Sequence, residues 1–479
     1  MNVSHLNIGI LHSLIGKNDG VSIVIDQSVE AMVKYMNIPL GNIYYLAAHT
    51  SPRFNAETND IFWHKSPLHK RIIEYFCEEP PCWLEGEIIE NAMTAKKIIA
   101  DFIEKHQIDL LIAHNTSHPY NFITAVGLGY YLEERRAAGY IWPKVLSWWH
   151  DSFFERPQFA NPNTVIQKYL KYLPGLHNNG IVFINRDQVK IARRYFKTFK
   201  KVDLKGYFHK HTCVIPNTCD IPWNWKEQDW HSPERHICPP RDNYNYTFFD
   251  DIGLTKQIEK LGGSLDETVI LLQHTRVVPR KKIETAIDFA FKLSKKFKHK
   301  KCIALLISGH SGDEQVQYKK FLMHYFKDKQ EKLPKSKVIM VFGEGHILSD
   351  RDIIVDQKFY KFAEVPSIIA QHGGIGTYFS EIEGFGNNLL EMISCGLPSV
   401  INKYPIYEKY IEKYGFDIPA ITEGFLNDDV VEEAYEILVD KQKRNAQVHH
   451  NLQILDNRLS HRLMAKKIQP LIENIFFRR

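Results

Sequence analysis

Short apolar runs alternate with amphipathic stretches along both halves of the chain. Apolar runs this short, separated by helical patterns, are typical of parallel strands that helices cover on both faces. The predicted strands are 6–12, 43–48, 108–113, 145–149, 181–185 and 212–215 in the first half, and 268–273, 302–308, 338–342 and 399–402 in the second. The pattern therefore predicts an α/β protein with two Rossmann-like sheets.

The segment from Cys219 to Tyr246 interrupts this alternation. It is rich in Pro, Trp, Asn, Asp and His and has no clear period, which is typical of a connection between domains. The chain has 479 residues, enough for two domains with separate cores. We expect a Rossmann-like acceptor domain over 1–225, a connection over 226–246, a second Rossmann-like domain over 247–455 and a terminal helix over 456–479. A ligand cleft is expected beside the connection.

Composition narrows the class of protein. Lys and Arg number 61 against 56 Asp and Glu, a net charge of +5, which argues against a dedicated nucleic-acid binder. The seven cysteines are scattered, so we expect reduced thiols and a cytoplasmic protein. No apolar run reaches the ~18 residues of a membrane span, and the N-terminus lacks a secretory pattern. A soluble protein, at most peripheral to a membrane, is expected.

Two basic and aromatic segments leave room for a membrane or partner contact. The stretch 193–211 interleaves seven Lys or Arg with aromatic rings, and the chain ends Phe476-Phe477-Arg478-Arg479. For the first, a solvated helix face is the favoured interpretation over an anionic-lipid surface. For the second, the alternatives are a helix that returns to the first domain and a peripheral contact.

The most informative motif reads Glu-Gly-Phe-Gly-Asn-Asn-Leu-Leu-Glu over 383–391. Gly384 and Gly386 let the backbone approach a ligand, and a helix that starts near Asn387 points its free amides at a preceding anion such as a diphosphate. Glu391 lies about one turn into that helix, where its two oxygens can accept both protons of a ribose diol. Glu383 precedes the turn and would face a sugar. The alternative is a capped helix with a buried apolar stripe, which does not explain both acids.

Basic residues follow the first strand of the second half. Arg276 and Lys281 leave the carboxyl end of strand 268–273, the usual ligand side of an open parallel sheet. Two cations there can hold a diphosphate and stabilise it as a leaving group. A basic strand-to-helix turn without a ligand is the alternative.

The first half offers weaker candidates. Gly20 lies in a glycine-containing turn that opens a helix, but no GxGxxG fingerprint is present, which argues against a nicotinamide enzyme. His150 and Asp151 follow a strand beside Trp148 and Trp149, where His150 could bond a sugar hydroxyl or be a structural histidine. Asn115 ends a neighbouring strand. No His, Cys or carboxylate group has metal-ligand spacing, so no metal site is predicted.

Taken in order, several motifs resemble those of the retaining glycosyltransferases of family 4, which have the GT-B fold of two Rossmann-like domains facing across a cleft. The resemblance spans nearly the whole chain and looks closest to a branch that includes glycosylglycerate-type synthases. It rests on Asp19-Gly20-Val21-Ser22, the block from His150-Asp151 to Glu155-Arg156, Val214-Ile215-Pro216-Asn217, Asp251-Ile252-Gly253-Leu254, Arg276 to Lys281, Gly312-Asp313-Glu314, Glu383 to Glu391 and Asn402-Lys403-Tyr404-Pro405.

The resemblance implies a role for each matching residue. Arg276 and Lys281 would hold the donor diphosphate and Glu391 the ribose. Glu383, with the amides of Gly384, Phe385 and Gly386, would hold the transferred sugar. His150 would contact that sugar near C6, and Gly20 would lie at the diphosphate or acceptor side. The catalytic set would be Glu383, His150, Arg276 and Lys281, with Asp19, Asn115 and Asp151 as acceptor-side candidates.

The implied reaction moves a hexose from a nucleotide-diphosphate sugar, of the GDP-mannose or UDP-glucose type, to an acceptor hydroxyl. Retention at the anomeric carbon, the absence of an obligatory metal and the absence of a tightly bound cofactor follow from the resemblance alone. The segment from Gln371 to Ser380 departs from the family pattern, with Phe379 where relatives usually have Pro, and this affects the expected sugar pocket. Two alternatives remain: a catalytically idle sugar- or partner-binding protein, and other GT-B chemistry such as a phosphorylase or an epimerase.

Overall fold

The computed structural model describes residues 3–17, 19–175, 177–198, 204–309, 315–355 and 357–477. The motif Gly312-Asp313-Glu314, the centre of the basic stretch 193–211 and the terminal Arg478-Arg479 lie outside the described residues. The chain divides into two compact units. Unit 1 comprises Met1–Asn217 with His461–Arg479, and unit 2 comprises Thr218–Ser460.

Unit 1 contains a seven-stranded sheet in which every described pair of strands is parallel. Its order is β3-β2-β1-β4-β5-β6-β7. Strands β1, β4 and β6 are buried along their whole length, which explains their continuous apolar sequences. The strands are β1 Ile8–Leu11, β2 Ile43–Ala47, β3 Ala56–Thr58, β4 Leu110–His114, β5 Lys144–Trp148, β6 Gly180–Phe183 and β7 Thr212–Val214.

In the described parts of unit 1, seven helices precede the second unit in sequence. They are α1 Gly20–Met36, α2 Pro67–Glu74, α3 Leu84–Lys105, α4 Phe122–Ala137, α5 Thr164–Gln167, α6 Arg186–Thr198 and α7 Leu204–Lys210. Two short strands, Leu14–Ile15 and His49–Thr50, pair beside the main sheet. Helix α1 starts at the Asp19 N-cap and stops where Asn37 adopts a left-handed conformation.

Unit 2 contains a six-stranded parallel sheet of order β10-β9-β8-β11-β12-β13. Its strands are β8 Val269–Gln273, β9 Ile303–Ile307, β10 Val338–Phe342, β11 Ile375–Tyr378, β12 Ser399–Lys403 and β13 Ala420–Thr422. A separate three-stranded sheet comprises Ile347–Leu348, Asp352–Ile354 and Gln357–Lys361. The predicted α/β fold with two parallel sheets is confirmed.

Helices cover both faces of this second sheet, and a last helix returns to unit 1. The helices are α8 Phe248–Asp251, α9 Leu254–Lys260, α10 Ile283–Lys296, α11 Val316–Lys332, α12 Val365–Gln371, α13 Asn387–Ser394, α14 Asp428–Val439, α15 Lys441–Leu459 and α16 His461–Phe477. Helix α16 packs its buried Met464, Ile468 and Ile472 in the same core as Val24 and Ile25 of α1.

The segment after Asn217 packs within unit 2. Trp223, Trp225 and Trp230 form a buried cluster with Val448 and Leu452 of α15. Residues 218–246, of which 226–246 were expected to be a connection, are thus part of the packing of unit 2. The boundary between the units falls after Asn217 rather than at residue 225.

All seven cysteines are free thiols. In the parts of the chain that the structure describes, no helix combines the length and the apolar character needed to cross a membrane.

Candidate functional site

The turn after β8 contains the basic residues of the predicted diphosphate site. It contains a short 3-10 turn, Pro279–Lys281, and Lys282 adopts a left-handed conformation before α10 begins at Ile283. Arg276 is half-buried, whereas Lys281 is buried. This turn therefore presents its cations at the carboxyl end of β8, as predicted from the sequence.

The turn from β11 to α13 lies beside the first one. Strands β8 and β11 are adjacent and parallel, with Leu271 opposite Ile375 and Gln273 opposite Thr377. The carboxyl ends of parallel neighbours meet at one edge of the sheet. A hydrogen bond from Asn388 Nδ2 to the carbonyl of His274, at 2.6 Å, joins the two turns directly.

Lys281 and Glu383 form a buried ion pair between these turns. Their side chains are 4% and 8% exposed. Arg280 contacts the other carboxylate oxygen, with 3.2 Å between Nη1 and Oε2, and also donates to the carbonyl of Ile382 at 2.6 Å. The Lys281 ammonium lies 5.3 Å from the centre of the Tyr378 ring. The structure thus assigns Arg280 to this cluster, a residue for which the sequence predicted no role.

The buried environment shifts the pKa of both partners. Burial alone would raise the pKa of Glu383, but the charges of Lys281 and Arg280 outweigh burial and lower this pKa to about 2. Burial lowers the pKa of Lys281 to about 8, because the attraction of Glu383 offsets only part of the lost hydration. Glu383 is therefore a carboxylate at neutral pH, able only to accept hydrogen bonds.

The two glycines of the motif differ in what they do. Gly386 has a φ of 113°, and a Cβ at this position would lie 2.2 Å from Tyr404 Oη. Tyr404 Oη in turn donates to the carbonyl of Phe385 at 2.7 Å. A Cβ on Gly384 would meet no atom within 4 Å. Gly386 is thus required by the fold of the turn, whereas Gly384 leaves the backbone open to a ligand.

Glu391 lies one turn into α13 and contacts a histidine. His274 Nε2 is 3.3 Å from Glu391 Oε2, and the two side chains are 0% and 12% exposed. Helix α13 has its N-cap at Gly386, and its first amides point toward the turn that contains Gly384 and Phe385. His274 follows β8 directly, and the sequence predicted no role for it.

The segment that departs from the family pattern has structural partners. Phe379 is buried and packs against Phe289 of α10, with 6.0 Å between the ring centres. His372 lies before β11, with Nε2 3.2 Å from the carbonyl of Thr268, at the opposite end of the strands from Glu383. Phe379 thus fills the core behind the turn, and His372 lies away from it.

In unit 1, His150 belongs to a cluster of three rings. The centre of His114 lies 5.2 Å from that of Trp148 and 5.3 Å from that of His150, and the centres of Trp148 and His150 are 6.3 Å apart. His114 Nδ1 and His150 Nε2 are 3.0 Å apart, within hydrogen-bond distance. The carbonyl of His114 is in turn 3.1 Å from His12 Nδ1. The structure therefore places three histidines at the carboxyl ends of β1, β4 and β5.

These histidines are uncharged at neutral pH. Burial and the neighbouring His12 lower the pKa of His150 to about 3, and burial also lowers the pKa of His114 and of His12. A neutral imidazole has one donor and one acceptor nitrogen. His150 can thus bond a hydroxyl without contributing charge.

Asn115 and Asp151 lie beside His150 and make contacts that shape the rim. Asn115 has a φ of 57°, its amide donates to the carbonyl of Trp148 at 2.8 Å, and its Oδ1 accepts from the amide of Asp151 at 3.1 Å. Asp151 Oδ2 accepts from Arg156 Nε at 2.8 Å. The Asn115 side chain therefore joins the β4 and β5 turns, whereas the Asp151 carboxylate holds Arg156 within the β5 turn.

Asp19 and Gly20 form the start of α1. The Asp19 carboxylate accepts from the amides of Val21 and Ser22 at 3.1 and 3.2 Å and from the Ser22 hydroxyl, which is N-cap geometry. A Cβ on Gly20 would meet no atom within 4 Å. Asp19 thus has a structural function, and Gly20 leaves open space at the helix start.

Among the described residues, no group of three or more His, Cys, Asp or Glu side chains is arranged to hold a metal.

Two curated proteins are similar to the chain over most of its length, whereas no family model matches it. The mannosylglucosylglycerate synthase of Petrotoga mobilis is 26% identical over 444 residues, 87% of this chain and 86% of that protein. The mannosylglucosylglycerate synthase of Thermotoga maritima is 22% identical over 479 residues, 94% of this chain and 95% of that protein.

The solved structures that match include HepE of Anabaena in complex with UDP and glucose. The TM-score is 0.54 at 13% identity, and the match covers 98% of this chain and 100% of that one. At this identity the likeness shows the fold, which is GT-B. Together the comparisons confirm the predicted GT-B fold and the predicted resemblance to glycosyltransferases near mannosylglucosylglycerate synthase.

Proposed function

We propose that the protein is a glycosyltransferase that moves a hexose from a nucleoside diphosphate sugar to an acceptor hydroxyl. The observation that carries this proposal is the adjacency of the β8 and β11 turns, which brings Arg280 and Lys281 beside Glu383 and places His274 and the amides of α13 next to Glu391. A cationic turn, a helix N-terminus and two separate carboxylates suit the two ends of one anionic sugar nucleotide.

In this proposal the basic turn binds the diphosphate. The bond from the anomeric carbon to the diphosphate oxygen breaks with its electron pair on that oxygen, while the acceptor oxygen bonds to the same carbon and its proton passes to the departing diphosphate. Arg276 and Lys281 would stabilise the charge that develops on the leaving group. Lys281 has three N–H donors, so contact with Glu383 leaves others for phosphate oxygens. Because side-chain cations rather than a metal ion stabilise the leaving group in this proposal, we expect EDTA to leave the rate of transfer unchanged.

Glu383 would accept hydrogen bonds from hydroxyls of the transferred sugar, and Glu391 from the ribose. Lys281 and Arg280 keep Glu383 ionised and fix its orientation. In unit 1, neutral His150 would bond a hydroxyl of the sugar, and Asn115 and Asp151 would shape the acceptor side. Retention of anomeric configuration, as in family 4, is part of the proposal and derives from the resemblance.

The relatives narrow the substrates to be tested. Their name describes a product in which mannose, glucose and glycerate are joined. We therefore propose a mannosyl donor of the GDP-mannose type, with the UDP-glucose type as second candidate, and a small glycoside with a glycerate carboxylate as acceptor.

Thermal-shift measurements against GDP, UDP and ADP, followed by transfer assays with GDP-mannose and glucosylglycerate, test the proposal. A selective shift and a product of the expected mass, with its anomeric configuration read by NMR, would support it. Glu383→Gln should lose at least about a hundredfold in rate while its unfolding transition stays cooperative. Nucleotide binding without turnover on any acceptor would instead favour the idle binding protein, and the absence of any shift would overturn the donor site.

A further inference from the structure

The side chain of His274 is fully buried and reaches the carboxylate of Glu391. The distance from Nε2 to Oε2 is 3.3 Å, although the residues are 117 positions apart in sequence. A carboxylate can only accept hydrogen bonds, so the hydrogen of this pair belongs to His274 Nε2. Among the described residues, Glu391 Oε1 has no protein hydrogen-bond partner, which leaves that oxygen for a ligand.

The ring of His274 is held from several directions. Its Nδ1 is 3.2 Å from Ser308 Oγ, at the end of β9. Its plane stacks on Phe362 with 4.0 Å between centres and 20° between planes. The carbonyl of His274 accepts from Asn388 Nδ2. A ring fixed by a hydroxyl, an aromatic face and its own backbone cannot rotate away from Glu391 without losing these contacts.

We infer that His274 is a positioning residue that orients the Glu391 carboxylate for the ribose diol. The inference rests on the proposed function, because it presupposes a nucleotide at this site. A carboxylate free to rotate loses rotamer entropy when it accepts from a diol, whereas one fixed by His274 does not. His274 therefore sets how strongly the protein prefers a ribose over a sugar that lacks both hydroxyls.

The test compares GDP with 2′,3′-dideoxy-GDP by calorimetry, or the corresponding UDP or ADP pair if the thermal shift selects that base. In His274→Phe, which keeps the ring stack and removes the donor, we expect the affinity for the ribonucleotide to fall about tenfold, as for one lost hydrogen bond to a charged group. The affinity for the dideoxy analogue should change less than about twofold. His274→Gln, which restores an N–H near the Nε2 position, should recover most of the preference.

His372→Phe is the matched control, a half-buried histidine of the same unit at the other end of the sheet, and it should leave the preference unchanged. If His274→Phe fails to fold, Ser308→Ala should lower the preference in the same direction by a smaller factor. An unchanged preference for the ribonucleotide in His274→Phe would overturn the inference, and the same result in Ser308→Ala would do so where that variant is used instead. Equal binding of the ribonucleotide and its dideoxy analogue by the wild-type protein would also overturn it. If the wild type binds none of the three nucleotides, the proposed function fails instead.

Discussion

The ammonium of Lys281 and the carboxylate of Glu383 form an ion pair with both side chains buried, across 102 positions of sequence. Removing one partner of such a pair leaves an uncompensated charge in the interior. We expect Glu383→Gln to lower the free energy of unfolding by about 3 kcal/mol, the lower end of the usual range, because this change leaves the buried Lys281 ammonium without its carboxylate partner. Urea unfolding followed by circular dichroism measures this change.

The next lysine provides the control. Lys282 pairs with Glu381 at 3.0 Å, but the side chains are 35% and 50% exposed. Glu381→Gln should therefore cost less than about 1 kcal/mol. The double variant Lys281→Met/Glu383→Gln removes both charges and should recover much of the loss of the single variant. A Glu383→Gln protein as stable as wild type would contradict the buried pair.

The lowered pKa of Lys281 predicts a pH dependence of nucleotide binding. At a pKa of about 8, the ammonium is present below pH 8 and lost above it, so the Kd for GDP should rise several-fold between pH 7 and 9.5. Lys281→Arg stays charged over this range and should show a flatter profile. Unfolding of the protein does not explain this rise in Kd. Between the Lys281 pKa of about 8 and the ordinary lysine pKa of 10.5, a lysine in the unfolded chain binds more protons than Lys281 in the folded protein. This group therefore makes the folded state more stable as pH rises there. Identical profiles for the two proteins would contradict the prediction.

A comparison of predicted and observed strands shows how well the apolar pattern of the sequence predicts the two sheets. Strand β10 was predicted with the observed bounds of Val338–Phe342, and β8 within one residue. The prediction missed β3, β11 and β13. Strand β11 reads Ile-Gly-Thr-Tyr, and Gly and Thr conceal a strand that is nevertheless fully buried between β8 and β12. Strand β11 is buried because of its neighbours in the folded sheet, and a short stretch of sequence does not show which strands those neighbours will be.

The candidate site was likewise only partly predictable from the sequence. The basic turn and the Glu383 motif were recognisable because each is contiguous in sequence and follows a strand. The pairing of Lys281 with Glu383, and of His274 with Glu391, depends on the adjacency of β8 and β11. No local spacing encodes that adjacency. The capping function of Asp19 was also missed, although Asp before Gly-Val-Ser at a helix start is an N-cap pattern.

Gly386 has a backbone conformation that other residues rarely adopt. With a φ of 113° and only 2.2 Å between the position of an added Cβ and Tyr404 Oη, Gly386→Ala should lower the free energy of unfolding by about 2 kcal/mol or more. Adding Tyr404→Phe removes the clash but not the backbone strain, so it should restore only part of the loss. Thermal unfolding of Gly386→Ala, Tyr404→Phe and the double variant separates these two contributions.

Gly384→Ala serves as the counterpart. A methyl group there meets no protein atom within 4 Å, so stability should change by less than about 0.5 kcal/mol. If the backbone of this turn approaches the donor, the same methyl group should weaken the binding of GDP-mannose. Equal losses of stability at both glycines would contradict the assignment of the fold requirement to Gly386.

His150 allows the contribution of unit 1 to be measured separately. The proposed nucleoside diphosphate contacts lie in unit 2, so His150→Ala should change the Kd for GDP by less than about twofold while transfer slows by at least about tenfold. His69→Ala, which removes a buried histidine of α2 that contacts Ser66, should affect stability without this selective loss of rate.

Because burial and His12 hold the pKa of His150 at about 3, the ring is neutral at pH 5.5 as at pH 8. The ratio of wild-type to His150→Ala rates should therefore be the same at both pH values. A ratio that changes between them, with a midpoint near the ordinary histidine pKa of 6.5, would show that the imidazolium takes part, and the neutral hydrogen-bonding role would be wrong.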